Sequence, residues 1–145
     1  MIMEYTFRKC VKTDLDFIIE LKRKCFRWYI EKIYGWDENK QLELTKQEMC
    51  DNLSDMKIIQ VKGQDVGLFT FIKEENGDYL IGMFAILPEW QNHGLGTKIL
   101  KDIILEHPNT RFHLKTYQEN PARFLYERMG FHKYDETDTH WLMER

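Results

Sequence analysis

The sequence predicts a single α/β domain, residues 1–145, with a mixed, mostly antiparallel sheet of about seven strands and helices on both faces. Short runs of alternating apolar and polar residues predict the strands, and longer stretches with apolar residues every three or four positions predict the helices. Asn76-Gly77 separates two strand patterns and indicates an antiparallel hairpin. Farther along, a helical pattern connects two strand patterns, which indicates a right-handed parallel crossover.

The first half of the chain is predicted to place two helices between strands. Alternation over residues 3–9 indicates the first strand. Thr13 or Asp14 can cap the helix that follows, and this helix is predicted to end near Tyr34-Gly35, because glycine commonly follows a helix end. The next predicted elements are a more polar helix at 37–53 and strands at 56–62 and 66–74.

The second half is predicted to continue the hairpin and then to alternate helices with strands. Pro108 and Asn109 end one helix, and Asn120-Pro121 opens another, with Asn as the cap and Pro at the first helical position. Gly130 ends that second helix. The predicted elements are strands at 78–87, 111–117, 131–136 and 139–145 and helices at 95–106 and 120–129.

The composition excludes several classes of protein. The net charge is −3, which does not favour a nucleic-acid-binding surface. No apolar run approaches the roughly 20 residues of a membrane span, and the opening MIMEYTFRKC has no signal-peptide layout. Cys10, Cys25 and Cys50 form neither a zinc pattern nor a disulfide framework, so we expect reduced thiols, no metal site and a cytoplasmic location.

A glycine-containing turn between the fourth strand and the next helix predicts a phosphate-binding site. Gly94 and Gly96 lack a Cβ, and the first N–H groups of the helix have no partner inside it, so an anion can approach the backbone. A dinucleotide fingerprint would require a third glycine at Ile99, and Gly96-Thr97-Lys98 does not complete a P-loop. The ligand is predicted to be a phosphate-bearing cofactor; the alternative is a simple turn before a helix.

The turn and a second segment resemble one known family. Gln91-Asn92-His93-Gly94-Leu95-Gly96 follows the pattern Arg/Gln-x-x-Gly-x-Gly/Ala, and residues 120–131, NPARFLYERMGF, resemble the helix and strand that come later in the same family. With the predicted order of elements, these segments resemble the GCN5-related N-acetyltransferase (GNAT) family. The resemblance implies that strands four and five are parallel and splay apart.

The resemblance also implies acetyl-CoA as co-substrate and assigns residues to it. The pyrophosphate is expected on the turn, and the pantetheine is expected against the fourth strand, where one amide also polarises the thioester carbonyl. The residues implied for cofactor binding are Phe84, Ala85, Ile86, Gln91, Asn92, His93, Gly94, Leu95, Gly96, Thr97 and Asn120. Gly82 is expected to mark a distortion of this strand, with packing relief as the alternative.

Tyr126 matches the position of the family's general acid, which protonates the departing CoA thiolate. A phenol pKa near 10 is close enough to that of a thiol for this transfer to be feasible. The alternative for Tyr126 is an aromatic ring packed under the sheet. The alternative for Asn120 is a helix cap without a cofactor contact.

The acceptor is predicted to be a primary amine of a small molecule or peptide. Tyr29, Glu31 and Trp36 are the predicted acceptor residues, because aromatic faces with carboxylates suit an organic cation. Their alternative is a core aromatic residue with solvated acids around it. The general base stays unassigned among Glu31, Asp37, Glu38, His113 and a water chain, and His140 and Trp141 are placed to close the same pocket.

The sequence thus predicts acetyl-CoA-dependent N-acetylation by direct attack of the amine on the thioester. The main alternative is a non-catalytic acyl-CoA sensor or interaction module, and a second is transfer of a longer acyl group. The terminal strands are candidate contacts for a homodimer, and neither nucleic acid nor membrane is expected as a partner.

Overall fold

The computed structural model describes residues 4–145, so residue 3 of the predicted first strand lies outside the described part. The helices are α1 (Leu15–Cys25), α2 (Arg27–Tyr34), α3 (Glu38–Asn52), α4 (Leu95–Glu106) and α5 (Ala122–Arg128). The strands are β1 (Thr6–Lys9), β2 (Met56–Val61), β3 (Gln64–Lys73), β4 (Tyr79–Ile86), β5 (Phe112–Tyr117), β6 (His132–Glu136) and β7 (His140–Glu144).

The strands form one sheet of seven strands in the order β1-β2-β3-β4-β5-β7-β6. The β4–β5 pair is parallel, and the other neighbouring strands pair in the antiparallel direction. Asn76-Gly77 turns β3 into β4: the N–H of Gly77 donates to the carbonyl of Glu74, and Gly77 has φ +90°. The predicted fold class is therefore confirmed, including the hairpin and the parallel crossover.

The parallel pair β4–β5 separates after a short seam. Its ladder consists of Tyr79 opposite Phe112 and Leu80 opposite His113. Beyond this seam β4 continues to Ile86 and β5 to Tyr117 without further pairing between them in the described part of the chain. The predicted splay is confirmed, and it opens a gap near the carboxyl ends of both strands.

A bulge in β4 lies beside this gap. The pairing with β3 moves from Phe69 opposite Phe84 to Phe71 opposite Ile81, so β4 contains one residue more than β3 across this interval. Gly82 is in the interval, and a Cβ built there would lie 3.1 Å from Cγ2 of Thr70. The expected distortion at Gly82 is confirmed, because Gly82 lies within the bulge. A bulge bends the strand and increases its twist.

The first predicted helix is two helices in the structure. Phe26 separates α1 from α2 with φ −125° and ψ −13°, outside the helical region. The thiol of Cys25 donates to the carbonyl of Ile86 on β4 (3.2 Å), and the ring of Phe26 lies 6.4 Å from that of Tyr117 on β5. Contacts with both splayed strands therefore favour a break that local periodicity does not indicate.

Helices cover both faces of the sheet, as predicted. On one face α4 contributes Ile99 and Leu100 to a cluster that contains Phe69 and Phe112. On the other face α1 contributes Ile18 and Leu21 to a second cluster, which also includes residues of α3 and β2. In residues 4–145, no helix combines the length and apolar character that crossing a bilayer demands.

Candidate functional site

The carboxyl end of β4 turns its peptide groups toward the gap. The N–H of Leu87 donates to the carbonyl of Val66 on β3 at 2.8 Å. Because peptide groups alternate between the two sides of a strand, the N–H and C=O of the preceding Ile86 point away from β3 and toward β5. The carbonyl of Ile86 accepts hydrogen bonds from the side-chain amide of Gln91 (2.7 Å) and from the thiol of Cys25.

Gln91 thus connects the end of β4 with the glycine turn. Two residues of this turn have left-handed backbones: Asn92 with φ +64° and Gly94 with φ +83°. Alternating conformations of this kind direct successive N–H groups into a concavity that suits an anion. No atom lies within 4 Å of a Cβ built on Gly94, so the turn is open on that side.

Gly96 has a different role from Gly94. A Cβ on Gly96 would lie 3.3 Å from Cδ2 of Leu125, 3.7 Å from Cδ1 of Ile86 and 3.9 Å from Cζ of Phe84. The absent side chain lets the start of α4 approach both β4 and α5. The residues predicted to hold the cofactor, 84–86 and 91–97, are therefore brought together at one end of the gap.

The start of α4 keeps its positive dipole uncompensated. Gly94 caps the helix without a side-chain hydrogen bond, and the first turn contains no acidic residue. The N–H groups of Leu95, Gly96 and Thr97 have no acceptor within the helix. Lys98 extends along the helix to Asp102 at 3.6 Å. An anion at this position meets free N–H donors and the positive end of the helix dipole.

Asn120 directly precedes the start of α5, and Tyr126 lies within this helix. The side-chain oxygen of Asn120 accepts the N–H of Ala122 at 2.9 Å, which supports the start of α5. Tyr126 is only 7% exposed, and its ring packs against Phe131 at 5.7 Å. Burial holds the pKa of the Tyr126 phenol well above its ordinary value, so the hydroxyl keeps its proton at neutral pH.

A cavity of about 200 Å³ lies where α2 faces the carboxyl end of β5 and the turn between β6 and β7. Tyr29 stacks on Tyr117 with ring centroids 5.3 Å apart, and Trp28 meets Tyr29 edge-on at 5.1 Å. His140 lies 4.3 Å from the ring of Tyr117, and burial lowers the pKa of His140. The lining residues are Trp28, Tyr29, Lys32, Ile33, Tyr117, Gln118, Glu119, Asp138 and Thr139.

The three predicted acceptor residues separate in the structure. Tyr29 lines the cavity, whereas Glu31 and Trp36 do not. The carboxylate of Glu31 lies 3.6 Å from Nε of Arg27. The indole of Trp36 donates to Glu38 at 2.9 Å, and the guanidinium of Arg27 lies 5.3 Å from its ring centroid.

The residues considered as general bases have structural partners. Asp37 accepts the N–H of Lys40 and caps α3. Glu38 accepts two hydrogen bonds from Arg23, and these bonds, with that from Trp36, lower the pKa of Glu38 to about 2. His113 contacts Glu74 beside the paired end of β4 and β5 rather than the gap.

Two carboxylates of the cavity, Glu119 and Asp138, are absent from the sequence prediction. Glu119 follows directly after β5, and Asp138 lies in the turn between β6 and β7. A usable signal existed for Glu119, since ligands of parallel strands bind beyond the carboxyl ends of those strands. Asp138 carries no such signal, because its position depends on how the last hairpin packs.

The sequence matches the model of one known protein family. The family model described as Acetyltransferase (GNAT) domain matches residues 54–133, more than half of the chain. None of the curated proteins compared with the chain matches it.

Several solved structures are similar over nearly their whole length. The PaiA N-acetyltransferase of Thermoplasma acidophilum, in complex with coenzyme A, has a TM-score of 0.69 at 19% identity, with 99% of each chain covered. An acetyltransferase from Thermus thermophilus has a TM-score of 0.76 at 13% identity, covering 99% of this chain and 97% of that one. An Arabidopsis thaliana structure with the bisubstrate analogue CoA-Ac-MVNAL has a TM-score of 0.68 at 14% identity, with 97% of each chain covered. These likenesses show the fold.

Proposed function

Because the chain belongs to the GNAT family of acetyltransferases, we propose that it moves the acetyl group of acetyl-CoA to a primary amine of a small molecule or peptide. The observation that carries this proposal is the gap between β4 and β5, which meets the open start of α4 at the glycine turn. A flat thioester and its pantetheine arm fit such a gap. A diphosphate fits the N–H groups at its end.

Cofactor binding is assigned to two backbone surfaces. The amides of residues 91–97 hold the pyrophosphate, and the strand edge at Phe84, Ala85 and Ile86 pairs with the pantetheine. The direction of the Ile86 peptide supports this assignment, since Leu87 is already paired with β3. Asn120 contributes its side-chain N–H₂ group, because its oxygen is occupied by Ala122.

The reaction proceeds by direct attack. The neutral amine nitrogen forms a bond to the thioester carbon, and the carbonyl electrons move to oxygen, where a β4 amide donates a hydrogen bond. The C–S bond then breaks, and the amine nitrogen loses one proton to solvent. Tyr126 donates its proton toward the departing thiolate and regains one from solvent. Burial disfavours phenolate and thiolate alike, so burial of both groups does not by itself oppose this transfer.

A second candidate function is acyl-CoA binding without transfer. The burial of Tyr126 and the structural pairing of Glu38 and His113 favour it. The two functions differ in one observable, which is the release of CoA thiol when an amine is added.

The test combines binding with turnover. Titration calorimetry should detect acetyl-CoA and should detect much weaker binding of S-acetyl-pantetheine, which lacks the phosphates. A thiol-release assay with a panel of primary amines should then give turnover. Equal affinities for the two thioesters would contradict the phosphate site, and binding without thiol release from any amine would favour the second function.

A further inference from the structure

The cavity beside α2 already contains a bound ammonium group, supplied by the chain itself. Nζ of Lys32 lies 2.8 and 2.9 Å from the two carboxylate oxygens of Glu119. The same Nζ lies 5.0 Å from the ring centroid of Trp28. A carboxylate and an aromatic face on one ammonium are the contacts by which proteins recognise organic cations.

The charge of the cavity also favours a cation. Lys32 is the positively charged residue of its lining, and Glu119 and Asp138 are the negatively charged ones. The two acids outnumber the lysine, which pairs with Glu119. Asp138 has no ion pair in the described part of the chain. If Lys32 moves away, both carboxylates remain without a cation.

Lys32 is free to move away. Its side chain is 56% exposed and that of Glu119 is 53% exposed. Exposed ion pairs are weak because solvent and salt screen them. A ligand cation can therefore replace the ammonium of Lys32 at little cost.

The group that binds Glu119 differs from the group that is acetylated. An attacking amine must be neutral, whereas a carboxylate stabilises the protonated form and raises the pKa of the amine it contacts. A volume of about 200 Å³ accommodates one group of side-chain size. An acceptor that uses this cavity therefore has a second cationic group besides the amine that reacts.

We propose that Glu119 and the ring of Trp28 anchor a second cation of a diamine acceptor, and that Lys32 occupies this anchor in the free protein. The inference rests on the proposed function for the reaction, and it adds the class of acceptor. It also makes Lys32 a competitor of the acceptor and Glu119 a residue that determines specificity.

The experiment compares 1,4-diaminobutane with butylamine, which has the same carbon chain and one amine fewer. In thiol-release kinetics the KM of the diamine should be about fivefold lower than that of the monoamine, as expected for one exposed cation contact. Glu119→Gln should remove this preference. Lys32→Met should lower the KM of the diamine about two- to fivefold, because the competing ammonium is gone.

Two controls separate this role from general effects of charge. In the Glu119→Gln background, Lys32→Met should no longer change the KM of the diamine. Lys133 provides a matched pair outside the cavity, since its Nζ lies 3.0 Å from Glu136 and 4.7 Å from the ring of Trp141. Lys133→Met should leave the KM of both amines unchanged.

Calorimetric titration with 1,4-diaminobutane, without acetyl-CoA, separates failure of the inference from failure of the proposed function. Diamine binding that weakens in Glu119→Gln and strengthens in Lys32→Met, without thiol release, would sustain the anchor and reject the reaction. Thiol release with the same diamine-to-monoamine KM ratio in the wild type, Glu119→Gln and Lys32→Met would overturn the anchor.

Discussion

At the scale of single residues, the two glycines of the turn do different things. Gly94 supplies a left-handed backbone, which glycine adopts without the strain that a Cβ causes, and the space beside it is empty. Gly96 supplies close packing, because a side chain there would contact Leu125 and Ile86. One glycine thus shapes the proposed anion site, and the other positions the helix at whose start this site lies.

Gly94→Ala tests the anion site. Alanine at φ +83° costs about 1 kcal/mol of stability and tilts the N–H groups of the turn, so acetyl-CoA affinity in calorimetry should fall at least tenfold. Gly77→Ala is the matched control, since Gly77 has φ +90° and the same empty surroundings in a distant hairpin. It should lose similar stability in urea unfolding and keep its affinity. Equal affinity in both variants would reject the site.

Tyr126→Phe tests the acid. The substitution keeps the buried ring and removes one hydroxyl, so kcat should fall about 10²-fold, the range of general acid catalysis, while the Kd of acetyl-CoA stays the same. Because burial raises the pKa of Tyr126, we expect no loss of kcat from its ionisation below pH 10. An unchanged kcat in Tyr126→Phe would leave the ring a packing residue only.

At the scale of elements, one arginine connects β1 with β3 and with the turn that leads into α1. The guanidinium of Arg8 on β1 donates to both carboxylate oxygens of Asp14 at 2.9 and 2.8 Å, and to both of Asp65 on β3 at 3.1 and 2.7 Å. Asp14 also accepts the N–H of Val11 at the turn into α1. The hydrogen bonds from Arg8 lower the pKa of Asp14 and that of Asp65.

This cluster predicts a loss of stability in acid. The folded-state pKa of Asp14 is below the unfolded value of about 3.9. Its contribution is therefore present above that pH and disappears as the pH falls through the folded pKa. In urea unfolding, Asp14→Asn should lower the free energy of unfolding by about 1.5–3 kcal/mol at pH 7, and the difference should shrink by pH 2.

The control for Asp14→Asn is an exposed ion pair of α3. Nζ of Lys46 lies 3.9 Å from Glu43, whose side chain is 75% exposed. Glu43→Gln should change the free energy of unfolding by less than about 0.5 kcal/mol at either pH. A constant difference between Asp14→Asn and wild type across the pH range would show that ionisation of Asp14 is not the cause.

At the scale of the whole molecule, the fold could be predicted because its signals are local. Asn76-Gly77 determines the hairpin, and the pattern from Gln91 to Gly96 determines a turn before a helix. The break at Phe26 could not be predicted, since it depends on Cys25 and Phe26 contacting strands far away in the sequence.

The proposed acceptor site could be predicted only in part for the same reason. The aromatic and acidic residues around Tyr29 in the sequence predicted an acceptor surface, and Tyr29 does line the cavity. Glu31 and Trp36 share its neighbourhood in sequence, yet Arg27 engages both on another surface. Glu119 comes from a strand end far along the chain, and only the folded sheet brings it opposite α2.

The short seam between β4 and β5 has a mechanical consequence. Within residues 4–145, the four strands β1 to β4 and the three strands β5 to β7 share two residue pairs of direct ladder. This is the shortest pairing between neighbouring strands in the described sheet. In the proposed function, a thioester arm that pairs with the free edge of β4 and is enclosed by β5 would add backbone contacts where these two strands do not pair. Loading of the substrate would then itself stiffen the protein.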